Sequence, residues 1–159
     1  MDAQARQSLA RLIRTQRIAA LGTTSDTAPL VTMVLYVAAA DLCSFYIHVS
    51  QLAQHTQAIR QDRRVSLMIV EPDSGETDPQ MLARVSIRGD ATEMPPTADD
   101  YEAVKTAYLA KFPRAAVNFG LRDFMLCAIT PRHARYVGGF GKIFDLAAED
   151  FRHLASMTT

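Results

Sequence analysis

The segment Ser50–Val70, SQLAQHTQAIRQDRRVSLMIV, joins one strand to a short helix and then to a second strand. Ala53–Gln61 is predicted to be the helix, and Ser50 is a candidate cap for it. A first helical turn offers free N–H groups and the positive end of the helix dipole. The pattern therefore predicts an anion site at His55 and Thr56. A capped surface helix with a polar histidine is the plain structural alternative.

Apolar residues alternate with polar ones on both sides of this segment, which predicts mostly antiparallel strands joined by short turns. The strands are expected at 17–24, 30–37, 44–49, 64–70, 81–92 and 123–130, followed by a glycine-dense extension at 134–141 and a short strand at 142–146. Helices are expected at 3–16 and from Thr97 onward. Strands do not alternate with long helices, so a doubly wound parallel sheet is disfavoured. The sequence predicts a mainly β protein, a closed or split barrel with flanking helices.

The bulk properties limit the classes of function. The chain has 159 residues, and we expect a single domain over 1–159. Its 17 basic residues equal its 17 acidic ones, which disfavours a general nucleic-acid binder. The longest apolar run, 30–40, is too short to span a bilayer. Two cysteines without metal-site spacing suggest reduced thiols, so we expect a cytoplasmic protein with no membrane partner.

Four motifs together carry a resemblance to a known family. They are ALGTTSDTAPLVTMV, SQLAQHTQAI, RRVSL and RYVGGFGKIFDL, and they occur in this order over residues 20–146. In this order and spacing they resemble the pyridoxamine 5′-phosphate oxidase-like FMN-binding split barrels. The branch that includes heme-utilisation proteins is the most similar. The resemblance covers residues 6–146.

The resemblance implies a six-stranded antiparallel split β-barrel of the FMN-binding type, working as a homodimer with FMN in a groove between subunits. It implies a flavoprotein, a flavin-dependent oxidoreductase with a small-molecule substrate or electron donor. No catalytic residue is assigned, because the flavin supplies the redox chemistry. In that family the flavin phosphate is held by the second strand and by the start of the helix. The corresponding residues in this sequence are Thr32, Met33, Val34, Ser50, Gln54, His55 and Thr56.

The sequence departs from the oxidase pattern where the phosphate binds. The oxidases carry an arginine at the position of Thr32 and an arginine–lysine pair at Gln54 and His55. Neutral groups grip a dianionic phosphate more weakly, so Arg64 or the helix dipole would have to compensate. Arg84 takes the place of a flavin-contacting glutamine, and an ordinary surface arginine is its alternative.

The glycine-dense segment 138–141 allows close approach of the backbone to a ligand, with a β-bulge as the alternative. Phe140 is a candidate to cover a flat ring and Lys142 to face an anion. The chain has no tryptophan, whereas the oxidases place one in this region, which disfavours pyridoxine phosphate as the substrate.

The same resemblance supports a second function, a heme-binding or heme-utilisation protein on the same barrel without flavin catalysis. Besides His55, the chain contains His48, His133 and His153. None of these histidines has a partner at metal-site spacing, so no separate metal site is predicted. The heme-degrading relatives are longer, with a C-terminal extension that can supply an axial histidine. The sequence alone leaves FMN and heme open as the ligand.

Overall fold

The computed structural model describes residues 1–139 and 141–155. The prediction for Phe140 lies outside the described residues. Eight strands are found: β1 Ile18–Ser25, β2 Ala28–Leu35, β3 Val37–Ala38, β4 Phe45–Ser50, β5 Arg64–Val70, β6 Arg84–Met94, β7 Phe124–Val137 and β8 Ile143–Ala147. The α-helices are α1 Ala3–Thr15, α2 Gln54–Gln61, α3 Tyr101–Lys111, α4 Ala116–Phe119 and α5 Ala148–Ala155. Short 3₁₀ turns occupy Pro79–Met81 and Pro113–Ala115.

All strand pairs are antiparallel and form one sheet in the order β2-β1-β5-β6-β7-β4-β3, with β8 added on β7. β2 approaches β4, so the sheet curls into a split barrel. The predicted mainly β split barrel with flanking helices is therefore confirmed. The predicted count of six strands is wrong, because β3 pairs with β4 over only two residues and β8 adds a further strand.

The last part of the sheet also differs from the prediction. β7 is one continuous strand of 14 residues that passes through Pro131, whereas the sequence predicted a strand ending at residue 130 and a separate extension. A register shift between Arg88 and Gly89 of β6 explains this continuity. Gly89 pairs with Pro131 and Arg88 pairs with His133, so Arg132 is the extra residue of a β-bulge. A proline is tolerated at such a bulge because the ladder is already interrupted there.

Helix α3 begins four residues later than its predicted start at Thr97, with Asp100 as its N-cap. The reason is a turn after the two prolines. Ala98 N–H donates to the Pro95 carbonyl, and Tyr101 N–H donates to the Ala98 carbonyl. Residues 95–100 are therefore used to turn the chain from β6 into the helix.

The concave side of the sheet carries the main core, which α1 and α5 complete. Leu9 and Ile13 of α1 and Phe151 of α5 are fully buried against the strands. A smaller core lies on the other side, where α3 covers β4 and β7 with Val104 and Tyr108. Both cores are nearly all apolar, and burying a side chain of this size contributes about 1.5–3 kcal/mol.

A second apolar surface lies on the convex side of β1, β2 and β5, and no described element covers it. Val31 and Met33 of β2 are 68% and 66% exposed. We call this surface the apolar face, and it consists of Ile18, Val31, Met33, Leu35, Met68 and Val70. An exposed patch of this kind usually marks an interaction site.

Within residues 1–139 and 141–155, no helix has the length and hydrophobicity needed to cross a bilayer.

Candidate functional site

Four of the predicted phosphate-binding residues come together where β2 and the end of β4 meet the start of α2. Thr32 Oγ1 lies 3.2 Å from His55 Nδ1. The Thr56 hydroxyl donates to the Ser50 carbonyl at 2.7 Å, and the Ser50 hydroxyl donates to Asp123 Oδ2 at 3.1 Å. We call Thr32, Ser50, His55 and Thr56 the α2 cluster.

The polar groups of the α2 cluster are largely used by the protein itself. Thr56 is fully buried, and its hydroxyl proton is already donated to Ser50. Burial lowers the pKa of His55, which favours the neutral imidazole. His55 Nε2 is buried and has no hydrogen-bond partner among the described residues. The carboxylate of Asp123, held by Ser50, would repel a phosphate at this position.

Ser50 does not cap α2, so that prediction is wrong. The N-cap is Ala53, which makes no side-chain cap hydrogen bond. Ser50 lies one turn earlier, because Ala53 N–H donates to the Ser50 carbonyl. Its hydroxyl oxygen instead accepts from Leu52 N–H at 3.2 Å.

The other predicted residues on these elements point in different directions. Val34 is buried in the main core, whereas Met33 belongs to the exposed apolar face. Gln54 is exposed in the first turn of α2. Arg64 is exposed and forms an ion pair with Asp62 at 2.6 Å.

Arg84 and Lys142 lie at the opposite end of the sheet from Arg64. Arg84 pairs with Val70 at the end of β5, whereas Arg64 begins that strand. The Arg84 guanidinium donates to the carbonyls of Gln80 and Leu82 at 3.2 and 3.0 Å, so it holds the β5–β6 connection. Lys142 is exposed in the turn between β7 and β8. The structure therefore does not bring Arg64, Arg84 and Lys142 into one site.

A different site is present on the convex side, next to the apolar face. It is a groove of about 690 Å³ between the β1–β2 hairpin and the bulged part of β6–β7. Gly22 and Ser66 are its small central residues, and Val31 belongs both to its wall and to the apolar face. We call it the arginine groove because it is lined by Arg63, Arg64, Arg88, Arg132 and His133.

The β-bulge builds the cationic side of this groove. Neighbouring residues of a regular strand point to opposite faces. Because Arg132 is the extra residue of the bulge, both Arg132 and His133 line the groove, next to Arg88. Gly89 is required at this point, since an added Cβ would overlap the Thr130 carbonyl oxygen.

The groove holds more positive charge than its own carboxylates compensate. Arg132 and Arg63 both approach Asp90, with Arg63 Nε 3.9 Å from Asp90 Oδ1. The hydrogen bonds and charge of Arg64 lower the pKa of the Asp62 carboxyl to about 2. The four arginines of the groove thus have two aspartate partners, Asp90 in its lining and Asp62 beside it, which leaves two positive charges. The groove is therefore suited to a ligand with two negative charges.

His133 lies between a cation and an anion. Arg88 Nη2 is 3.2 Å from His133 Nδ1, and a guanidinium can only donate, so Nδ1 accepts this bond. His133 Nε2 is 3.9 Å from Asp145 Oδ1. Asp145 is held in place by two hydrogen bonds from Arg135, at 3.0 and 2.9 Å.

The arginine groove was not predicted from the sequence. Arg64 was predicted to help hold a phosphate, but it was not grouped with Arg63, Arg88, Arg132 and His133. The available signal was an arginine in each of three distant segments, RRVS, IRGD and PRHAR. Only the register between β5, β6 and β7 shows that the three segments meet.

Comparison with known proteins identifies the family. The model of the family described as "CREG, beta-barrel" matches residues 2–153. The chain belongs to the CREG beta-barrel family. A solved structure from Clostridium acetobutylicum, described as related to general stress protein 26 and to the pyridoxinephosphate oxidase family, shares this fold. It is 12% identical with a TM-score of 0.71, and the similarity covers 95% of this chain and 99% of that one.

Two other relatives have names that refer to heme. The chain is 37% identical over 97 residues to the "Non-canonical heme oxygenase HOZ, chloroplastic" of Arabidopsis thaliana. That similarity covers 60% of this CREG-family chain and 28% of HOZ. The heme binding protein of Mycobacterium smegmatis is 25% identical with a TM-score of 0.85, over 96% of this chain and 62% of that one. The chain thus spans less than two thirds of the length of either relative.

Proposed function

We propose that this CREG-family protein binds heme, and that the arginine groove is the site. Two relatives are named for heme, and the flavin function predicted first has no comparable support. The observation that carries the proposal is the pair of uncompensated positive charges beside a wide, partly apolar groove. Heme combines a flat apolar ring, two carboxylates and an iron with axial positions. Each of these parts finds a chemical counterpart in the groove.

The cationic side of the groove fits the carboxylates. The side-chain partner of Arg88 is His133 and not a carboxylate. The Arg88 guanidinium can therefore bind a heme carboxylate without giving up an ion pair. Arg132 can share its guanidinium between Asp90 and a ligand, because it presents several donors. Arginine binds carboxylates with two parallel hydrogen bonds, which fixes orientation as well as charge. The small residues Gly22 and Ser66 leave room for a flat ring between the walls.

His133 fits the iron. Histidine ligands usually donate their second ring N–H to a carboxylate, which orients the imidazole. Asp145 lies beside Nε2 and could take this role, and Nδ1 would then be the atom that holds the metal, with Arg88 binding a carboxylate. The bound group supplies redox chemistry at iron, and the residues of this chain hold and orient it.

The flavin-dependent oxidoreductase stays a prediction, with the FMN phosphate expected at Thr32, Met33, Val34, Ser50, Gln54, His55 and Thr56. The hydroxyl groups of Thr56 and Ser50 already donate to the Ser50 carbonyl and to Asp123. A phosphate there would also lie close to the Asp123 carboxylate. We therefore prefer heme to FMN as the ligand.

We further propose that the protein is a homodimer joined through the apolar face. Six large apolar side chains on the convex side are exposed, a surface that single soluble chains rarely leave in water. The family resemblance predicted a homodimer from the sequence, without assigning its contact surface. The dimer would place the arginine groove at the edge of the subunit contact, because Val31 belongs to both surfaces.

A hemin titration tests the proposed function. We expect saturable binding of one hemin per chain, with a Soret band that shifts in position in His133→Ala. His153→Ala is the matched control, because His153 lies in a different cleft beside α5. A Soret band that is identical in the wild type and in His133→Ala would reject His133 as the ligand. Absence of saturable binding would reject the proposal as a whole.

A further inference from the structure

A separate cavity of about 500 Å³ lies between α1 and the end of the sheet where β5 and β7 end. We call it the phenol cavity, and its lining includes Ser8, Arg11 and Leu12 of α1, Glu71 after β5, and Tyr136 and Gly138 at the end of β7. It shares no lining residue with the arginine groove. The cavity is therefore independent of the proposed heme site.

The Tyr136 side chain provides a buried hydroxyl at this cavity. Tyr136 is 1% exposed, and its ring stacks on Phe144 with ring centroids 6.3 Å apart. Within the part of the chain that the structure describes, the Tyr136 hydroxyl has no hydrogen-bond partner. Buried polar groups nearly always have a partner, so this hydroxyl indicates a missing one.

Gly138 keeps the Tyr136 hydroxyl open to the cavity. A Cβ at position 138 would lie 3.0 Å from the Tyr136 hydroxyl oxygen and 3.1 Å from two of its ring atoms. Because glycine has no Cβ, this space belongs to the cavity, which Gly138 also lines. One water molecule occupies about 30 Å³, so the space is large enough for a small organic ligand.

Helix α1 contributes a cation and a hydroxyl to the mouth of the cavity. Ser8, Arg11 and Leu12 lie on one face of the helix, because residues three and four positions apart are neighbours there. Leu12 is buried, whereas Ser8 and Arg11 are exposed. In the described part of the chain, the Arg11 guanidinium has no carboxylate partner.

Glu71 contributes a carboxylate in a defined position. Its backbone N–H donates to the Ala83 carbonyl at 2.8 Å, and its Oε2 accepts from the Ala83 N–H at 3.2 Å. The second carboxylate oxygen stays available to a ligand. Glu71 forms no ion pair with Arg11 across the cavity, although both residues are described. The cavity thus presents one unpaired charge of each sign.

We propose that the phenol cavity binds a small zwitterion, a molecule with one carboxylate and one ammonium group such as a free amino acid. The ligand carboxylate accepts from the Arg11 guanidinium and the Ser8 hydroxyl. The ammonium group donates to the Glu71 carboxylate and to the Tyr136 hydroxyl oxygen. A ligand with a single charge would leave one of the two protein charges without a partner, so the cavity selects for both.

Burial and, to a smaller extent, the Glu71 carboxylate raise the pKa of Tyr136. The phenol therefore stays neutral at physiological pH, and its oxygen can accept from an ammonium group.

Calorimetric titration of the full chain with small probes tests this inference. The zwitterions are glycine, β-alanine and γ-aminobutyrate, and the probes with one charge are acetate and methylamine. We expect at least one zwitterion to bind about tenfold more tightly than acetate and methylamine, because it gains one more charge-assisted contact. If every zwitterion bound no more tightly than acetate and methylamine, the proposal would be overturned and the cavity would hold water only.

Tyr136→Phe tests the role of the buried hydroxyl. We expect it to bind the best zwitterion about tenfold more weakly, with an unfolding free energy equal to or higher than that of the wild type, because the hydroxyl has no partner within the chain. Tyr101→Phe on α3, outside the cavity, is the control and should bind normally. Unchanged binding in Tyr136→Phe would overturn its assignment, and so would a loss of stability.

Two further variants test the charges. Arg11→Gln and Glu71→Gln should each lower zwitterion affinity to that of a probe with one charge, and glutamine at position 71 still accepts from the Ala83 N–H. Arg14→Gln is the control on the same helix, because the Arg14 guanidinium donates to the Ala40 carbonyl at 3.2 Å. Equal zwitterion affinity of Arg11→Gln and Arg14→Gln would contradict the proposal. Hemin binding should be the same in all these variants, so failure of the heme function and failure of this site are distinguishable.

Discussion

The α2 cluster and the arginine groove contain similar polar groups but differ in how those groups are used. In the α2 cluster, Thr56 and Ser50 donate their hydroxyl protons within the chain, and Asp123 adds a negative charge. In the groove, four arginines have only two aspartate partners, Asp90 and Asp62, and the excess charge is open to solvent. The difference indicates that a polar cluster binds a ligand only when it has donors and charges that are not already used in hydrogen bonds and ion pairs within the chain.

The largest effect should come from the glycine that builds the groove. We expect Gly89→Ala to lower the free energy of unfolding by about 3 kcal/mol, because its Cβ would overlap the Thr130 carbonyl. The control is Gly22→Ala, whose Cβ would meet Ser66 at an ordinary 3.6 Å and should cost less than about 1 kcal/mol. Urea unfolding measures both. Equal stability of the two variants would show that the bulge has room for a side chain at position 89.

The second effect separates the two regions by ligand affinity. Arg88→Gln should weaken hemin binding by about 10-fold to 100-fold, because a charge-assisted hydrogen bond contributes about 1.5–3 kcal/mol. Arg114→Gln, on the exposed turn before α4, is the matched control and should bind normally. Spectrophotometric titration compares them. If Arg88→Gln bound hemin normally and His55→Ala bound it weakly, the α2 cluster and not the arginine groove would be the hemin site.

The third effect tests whether the α2 cluster stabilises the fold and does not bind the ligand. We expect Thr56→Val to lower the free energy of unfolding by about 1.5 kcal/mol, because the Ser50 carbonyl loses the Thr56 hydroxyl, one of its two donors, at a fully buried position. Hemin affinity should not change. Thr106→Val removes an equivalent hydroxyl on the exposed side of α3, bonded to the Glu102 carbonyl at 2.8 Å, and should cost little. Loss of hemin affinity in Thr56→Val would assign the cluster a role in binding.

The smallest effect concerns pH. The His48 ring stacks on Phe119 with ring centroids 3.8 Å apart, and burial lowers its pKa to about 4. A histidine with a lowered pKa contributes stability above its unfolded pKa of about 6.5, and this contribution is lost as pH falls toward 4. After allowance for solvent screening, we expect a loss of about 1 kcal/mol between pH 7 and pH 5.

His48→Phe should remove most of this pH dependence while it keeps the stacking on Phe119. Urea unfolding of both proteins at the two pH values makes the comparison. If His48→Phe lost as much unfolding free energy between pH 7 and pH 5 as the wild type, His48 would be excluded as the source of the pH dependence. Burial also lowers the pKa of His55, so the α2 cluster should contribute a smaller part of the same sign.

Much of the fold could be predicted from local patterns. The apolar periodicity of α1, and the alternation in β1, β4 and β5, follow from which side of each element is buried. The end of β6 and the course of β7 could not be predicted in the same way. Pro131 normally breaks a strand, and only its pairing with Gly89 across a bulge keeps β7 continuous.

The candidate site was less predictable than the fold. Residues 50–56 are close in sequence, so their proximity to one another was visible, and only Thr32 had to be added. The arginine groove combines three strands that are distant in the chain. The bulge also places Arg132 on the same side of the sheet as its neighbour His133. Long-range register decides such a site, and a single sequence does not display it.

The most direct test is a crystal structure of the protein with hemin bound. We expect density for the ring over Gly22 and Ser66, with the heme carboxylates on Arg88 and Arg132 and the iron within coordination distance of His133. Hemin density at the start of α2, in contact with His55 instead of the arginine groove, would contradict this expectation.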